Sequence, residues 1–146
     1  MELDARTRAF LDKNHSEGMV TLRSDGMPHV VRIGVALLDG KLWSSGTQHW
    51  QRTKHVRRDP RATLFVFESP GYVYLSIESR VTILEGPDVP ESSLRLFWTM
   101  QNRQPGDTVM WYGGELTPDQ FRTAMIEEQR LIFEFEPLRV YPRQSV

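Results

Sequence analysis

Along the chain, the spacing of hydrophobic and polar positions changes period several times. Leu3, Phe10 and Leu11, with Ala5 and Ala9, suit one face of a short helix that closes near Asn14. Residues 19–23 (MVTLR) predict a strand, and Ser24-Asp25-Gly26 supplies the turn of a hairpin. The return strand covers 29–38 (HVVRIGVALL). Its first half alternates, while its second half is apolar on both faces, which predicts burial on both. Asp39-Gly40 is a second tight turn, and 41–45 opens a third strand. Three strands joined by two Asp-Gly turns predict an antiparallel meander.

After Gly46 the period-2 pattern stops. Residues 49–58 tolerate a helix, which must end at Asp59 because Pro60 disfavours helical geometry in the residue before it. Residues 62–67 (ATLFVF) predict an apolar strand. Two more are expected at 72–76 and 80–84, punctuated by Gly71 and Gly86. Residues 91–100 are helical behind Pro90, and 102–114 read as a loop with Pro105, Gly106, Gly113 and Gly114. Thr117 as N-cap, Pro118 in the first turn and Gln120 closing a capping box start a helix that runs to about Gln129. Strands at 131–136 and 139–141, around Pro137, finish the chain. The sum is a mainly β domain covering 1–146: about seven antiparallel strands with three or four short helices at the joints. Closing such a sheet into a small barrel protects its edges, so a barrel is expected over an open sheet.

Composition narrows the chemistry. The 146 residues suffice for one domain with its own core. The absence of cysteine excludes a thiol nucleophile, a disulfide scaffold and cysteine-based metal sites. No apolar run approaches the roughly 18 residues of a membrane helix. The opening MELDARTRAFLDKNH lacks the apolar centre of a signal peptide, so a cytoplasmic protein is expected. The net charge of −1 argues against nucleic acid as a partner. Within that neutral total, however, five basic residues crowd into 52–61 against Asp59 alone. Such a cluster is either a solvated helix face or a local site for a small phosphorylated ligand.

The segment 42–67, LWSSGTQHWQRTKHVRRDPRATLFVF, carries the sharper expectation. A strand delivers Ser44, Ser45 and Gly46 to a loop, and a helix then begins near Trp50 with Gln51, Arg52, Thr53 and Lys54 in its first turns. A helix N-terminus offers unpaired N–H groups and a positive dipole end, which favour phosphate. Arg52 adds a two-pronged donor and Lys54 a point charge. The glycine spacing is not that of a P-loop. His49 and His55 do not have the spacing of a helical metal pair, and no metal is expected. His15 and His29 read as surface residues beside turns. Trp98, Trp111 and Tyr112 fit either a groove wall or a core or dimer interface, and Trp43 and Trp50 bracket the phosphate loop.

The SDGMPHVV turn, the RRDPRATLFV junction, the GYVYLSIES strand and the late DQFRTAMIEEQRLIFEFEPLRVY element together resemble the pyridoxamine phosphate oxidase-like split β-barrel superfamily. Within it they are most similar to the deazaflavin (coenzyme F-420)-dependent oxidoreductases. The resemblance implies a homodimer with the cofactor between subunits. It implies phosphate binding by Ser44, Ser45, Gly46, Trp50, Gln51, Arg52, Thr53 and Lys54. Val30, Val31, Arg32 and Ile33 would back the ring, and Arg130 would reach the partner subunit's cofactor. The family commonly has lysine where this chain has Arg52, and its FMN-binding members often have arginine where this chain has Gln51. That departure favours coenzyme F-420 over FMN. The implied activity is hydride transfer to a small or medium-sized conjugated acceptor, with no catalytic side chain assigned. The alternatives are an FMN-dependent pyridoxamine phosphate oxidase-like enzyme and a non-catalytic carrier of the cofactor. The length supports a dimer as well, because 146 residues do not readily enclose a cofactor of that size alone.

Overall fold

The computed structural model describes residues 1–68 and 72–142. Helix α1 (Ala5–Lys13) is capped by Asp4, whose carboxylate accepts the Thr7 N–H at 2.8 Å. Strands β1 (Ser16–Leu22), β2 (Pro28–Gly34), β3 (Ala36–Leu38) and β4 (Lys41–Thr47) precede helix α2 (Gln51–Arg58). Strands β5 (Arg61–Phe67) and β6 (Tyr74–Leu84) follow, then helix α3 (Val89–Met100). A short hairpin, β7 (Val109–Trp111) and β8 (Gly114–Leu116), leads to helix α4 (Pro118–Glu127) and the last strand, β9 (Arg130–Tyr141). The capping box read from Thr117 and Gln120 forms in both directions, and α2 stops at Asp59 as Pro60 requires.

Seven strands form one antiparallel sheet in the order β2-β1-β5-β6-β9-β4-β3. This is a split β-barrel, mainly β as expected. Its two ends in strand order, β2 and the β4–β3 hairpin, are consecutive in sequence, which corrects the expected meander. The 29–38 segment is not one strand. It breaks at Val35, whose N–H makes the last bond of the β1–β2 register, to the His15 carbonyl at 2.9 Å, before Ala36 turns to pair with Trp43. β2 therefore pairs with β1 while β3 pairs with β4 on the far side of the split.

Three further expectations change. Residues 74–84 form one strand, not two. A bulge between Glu78 and Ser79 lets the ladder continue, and buried Ser79 donates its hydroxyl to the Ala62 carbonyl at 2.8 Å. The same irregularity pairs Ser79 with Pro137, so β9 passes the proline, which has no N–H to donate, without ending. The loop read at 102–114 contains β7, and its Tyr112-Gly113 turn leads into β8 with both residues at positive φ. Gly71 lies outside the described residues.

The barrel interior is filled by alternate side chains: Met19 of β1, Ile33 of β2, Leu64 and Val66 of β5, Ile77 of β6 and Phe133 of β9. A second cluster, Ala36, Leu38, Trp43, Leu96 and Ile132, seats α3 on β3, β4 and β9. A third joins α3, α4 and the β7–β8 hairpin through Leu94, Trp98, Val109, Phe121 and Met125. Together these two clusters hold α3 and the hairpin beside the split, where they wall a groove. No helix among the described residues is long and apolar enough to cross a membrane.

Candidate functional site

A cavity of about 560 Å3 lies in the split. One bank comes from the β1–β2 side, with His15, Ser16, Arg32, Ile33 and Gly34. Ser44 and Ser45 of β4 form its floor. Trp50, Arg52 and Arg130 close one end, and Phe97, Met100, Gln101, Trp111 and Tyr112 make the opposite bank.

At the Trp50 end, two guanidiniums share a small volume. Arg130, the first residue of β9, is buried and is held by Glu128 through Nε at 3.0 Å and Nη2 at 2.8 Å. Its Nη2 also donates to the Tyr112 hydroxyl at 3.2 Å. Its carbon centre lies 5.0 Å from the Trp50 ring and 4.9 Å from the Trp111 ring. Glu128 is occupied on its other oxygen by the Trp111 indole N–H at 2.9 Å. Arg52 stacks on Trp50 at 3.8 Å and has no carboxylate partner among the described residues. Burial first, and then the like charge of Arg130, pull it down to about 10, so it remains cationic at neutral pH.

Three buried polar atoms in this wall have no hydrogen-bond partner: Arg52 Nε, Ser44 Oγ and Ser45 Oγ. Buried donors normally find partners, and leaving one unmade costs about 1–3 kcal/mol. Trp50 caps α2 without a side-chain hydrogen bond to its first-turn N–H groups. Two cations opposed, among the described residues at this end, by the Glu128 carboxylate make an anion site. Ser44 and Ser45 are neighbours on a strand and face opposite sides, so one hydroxyl of the pair can join them. The donor set fits a phosphate group, which accepts from arginine forks and hydroxyls together.

The remaining residues singled out in the sequence take other places. Thr53 is fully buried and donates to the Thr47 carbonyl at 2.6 Å, tying α2 to the end of β4. Gly46 lies under Phe133, where a Cβ would come within 2.6 Å of the ring, so its smallness serves packing. Gln51 and Lys54 are exposed and do not line the cavity. On β2, Arg32 and Ile33 line it, whereas Val31 packs against the core and Val30 faces outward. Trp98 is core and donates to the Asp107 carbonyl at 2.8 Å, and Trp43 donates to Glu134 at 3.2 Å.

Sequence reasoning missed His15, Ser16, Gly34, Phe97, Met100 and Gln101 as groove residues, along with Glu128 as the holder of Arg130. His15 and Gln101 stand just outside regular elements, where periodicity carries no signal. Glu128 ends α4 and looks like any acidic helix terminus until Arg130 folds back on it.

The chain matches the pyridoxamine 5'-phosphate oxidase family over residues 3–143. It belongs to that family. Among solved structures, a conserved hypothetical protein of Mycobacterium tuberculosis is similar, with a TM-score of 0.71 at 21% identity, covering 100% of this chain and 92% of that one. An F-420 reductase superposes with a TM-score of 0.70 at 19% identity, over 93% of this chain and 96% of the other. A Listeria innocua protein proposed to be a pyridoxamine 5'-phosphate oxidase gives 0.64 at 19%, over 92% and 93%. At these identities the structural matches establish the fold. Among curated proteins none matches the chain.

Proposed function

We propose that the protein binds the deazaflavin coenzyme F-420 in the split-barrel groove and reduces a small or medium-sized conjugated organic acceptor. The observation that carries this reading is the buried Arg52 Nε, without a partner among the described residues, beside Arg130 in a cavity whose lining also includes Ser44 and Ser45. The two arginines would hold the coenzyme's phosphate. Arg32 and Ile33 of β2 would flank its ring, and Trp50 would keep water from the phosphate end. When bound, the deazaflavin supplies two-electron chemistry as hydride from its C5 carbon. The chain's part is to bind, orient and desolvate; a proton can come from solvent. The wall of Phe97 and Met100 gives an acceptor an apolar surface, which favours catalysis over storage of the cofactor. The similarity to an F-420 reductase supports the choice of coenzyme.

The same reading includes a homodimer. The outward face of the sheet exposes Val30 (64%), Phe67 (51%) and Tyr141 (62%), and the Phe65 ring lies 5.7 Å from those of both Phe67 and Tyr74. A contiguous aromatic surface of this kind is a place for a second subunit. Replacing Phe65 by glutamate is expected to halve the mass measured by light scattering if the subunits meet there; an unchanged dimer places the interface elsewhere.

The deciding experiment is a titration with the deazaflavin and with FMN, following tryptophan fluorescence, because Trp50 and Trp111 both line the groove. Saturable quenching by the deazaflavin with little response to FMN supports the proposal. Preferential FMN binding, or binding of neither, overturns it.

A further inference from the structure

The end of the groove away from Arg52 has its own chemistry. Arg32 projects from β2 with its Nε donating to Ser16 Oγ at 2.8 Å, which orients the guanidinium while leaving the paired Nη1 and Nη2 edge free. Among the described residues it has no carboxylate partner, unlike Arg57, Arg103, Arg122 and Arg130. The nearby carboxyl, Glu17, follows Ser16 on β1 and therefore faces the opposite side, inside the barrel. Burial pushes Glu17 up to about 8, with the Arg32 charge offsetting only part of it. At neutral pH it is mostly protonated and does not balance Arg32.

His15 lies on the same bank. Its Nδ1 is 2.9 Å from the Val35 carbonyl oxygen, and the Val35 N–H returns a bond of 2.9 Å to the His15 carbonyl. A carbonyl oxygen can only accept, so Nδ1 carries the proton and Nε2 is left for other partners. Neutral His15 would present a lone pair there; the imidazolium would present a second donor.

We propose that Arg32 and His15 form a carboxylate-binding subsite, so that the groove takes a ligand set that is anionic at both ends. This rests on the groove being the ligand site proposed above and names a feature of what fills it: a planar conjugated acid. The carboxylate would accept two parallel bonds from Arg32 and a third from His15 Nε2–H. The other charged groups around His15 are Arg32 from β2, Glu17 from β1, and Arg52 and Arg130 across the groove; α3 contributes the uncharged Met100 and Gln101.

Calorimetry with trans-cinnamate and trans-cinnamamide, alike in shape and different in charge, tests the subsite without the coenzyme. At neutral pH the acid is expected to bind at least about tenfold more tightly than the amide. R32Q should abolish the preference, R52Q should retain it, and saturating inorganic phosphate should not displace the acid. R32K keeps the charge on an exposed strand position and loses the fork, so it should lose about threefold of the preference even if R32Q fails to fold. Equal binding of acid and amide, no binding of either, a preference that survives R32Q or R32K unchanged, a preference lost in R52Q, or displacement by phosphate would each overturn the subsite. In protein saturated with deazaflavin, undiminished cinnamate binding assigns the subsite to the acceptor. Displacement by the deazaflavin would overturn a separate site for the acid. If the deazaflavin itself does not bind, the proposed function fails while the preference for the acid stands or falls separately.

Discussion

Arg52 and Arg57 occupy the same helix, α2, and meet different surroundings. Arg52 sits in the first turn, stacked on Trp50, with a buried Nε that lacks a partner and a charge that burial destabilises. Arg57 is exposed in the last turn, donates to Glu85 at 2.6 Å and to Gln48 at 2.8 Å, and is pushed above its ordinary value chiefly by the Glu85 bond. Arg58 and Arg61 of the basic run follow the Arg57 pattern. Arg61 is bound to Asp59 at 2.7 Å, and Arg58 donates to the Leu22 carbonyl. One short stretch of sequence thus contains one arginine with binding capacity left over and several whose donors already have partners. Charge density along the chain is a poor guide to an anion site; unspent hydrogen-bonding capacity under burial is a better one.

Glu17 is the acidic counterpart of Arg52, buried with both oxygens unpartnered, and it provides the largest test of the contrast. Its folded value of about 8 lies above the ordinary 4.5, so the folded state holds the proton longer than the unfolded state. Its penalty is absent below pH 4.5, grows as pH rises between the two values, and is complete above pH 8. At about 1.4 kcal/mol per pH unit, the loss attributable to this group is on the order of 5 kcal/mol. Urea denaturation of Glu17→Gln from acid to alkaline pH should show that slope removed. An unchanged slope would mean that Glu17 is solvated or paired in solution.

The next effect concerns ligand affinity. Arg52→Ala should weaken deazaflavin binding by about 100-fold, the range for removing one partner of a buried charged hydrogen bond. Arg57→Ala should change it by less than about threefold, because that charge is exposed and screened. Comparable losses in both variants would restore the basic cluster as one functional unit. Thr53→Val separates scaffold from site: losing the buried bond to Thr47 should cost about 1–2 kcal/mol of stability and leave affinity within about threefold. The smallest effect is Arg57→Ala on stability, where an exposed ion pair contributes about 0.5 kcal/mol, measurable as a small shift of the thermal midpoint.

Much of the fold was legible because its signals are local. The Asp-Gly turns, the Asp59-Pro60 stop, the capping box at Thr117 and Gln120 and the alternation in β5 depend on neighbours a few residues away. The errors arose where distant partners intervene. β2 ends before Val35 because β1, its partner, begins at Ser16 and Ala36 takes up pairing with Trp43 of β4 instead. Pro137 does not end β9 because the extra residue Leu138 forms a bulge beside it and the ladder with β6 resumes at Ser79. The hairpin at 109–116 was hidden by the glycines that make its turn. For the site, Ser44, Ser45, Trp50, Arg52 and Arg130 were named from sequence and converge on one cavity. Gly46 and Thr53, named with them, serve packing and a backbone lock, and no sequence pattern separates those duties from ligand binding.

The sequence by itself determined the family, the β-rich architecture and the stretch of chain that would hold an anion. These follow from turn chemistry, periodicity and residue type, which act over short separations. Only the tertiary structure decided which cation keeps free donors, that Glu128 holds Arg130, and that His15 and Arg32 face the same groove. Those outcomes depend on burial and on contacts between residues far apart in sequence, such as the 91 positions separating Trp43 from Glu134. A hydrogen bond is satisfied or left open only once the chain has closed around it.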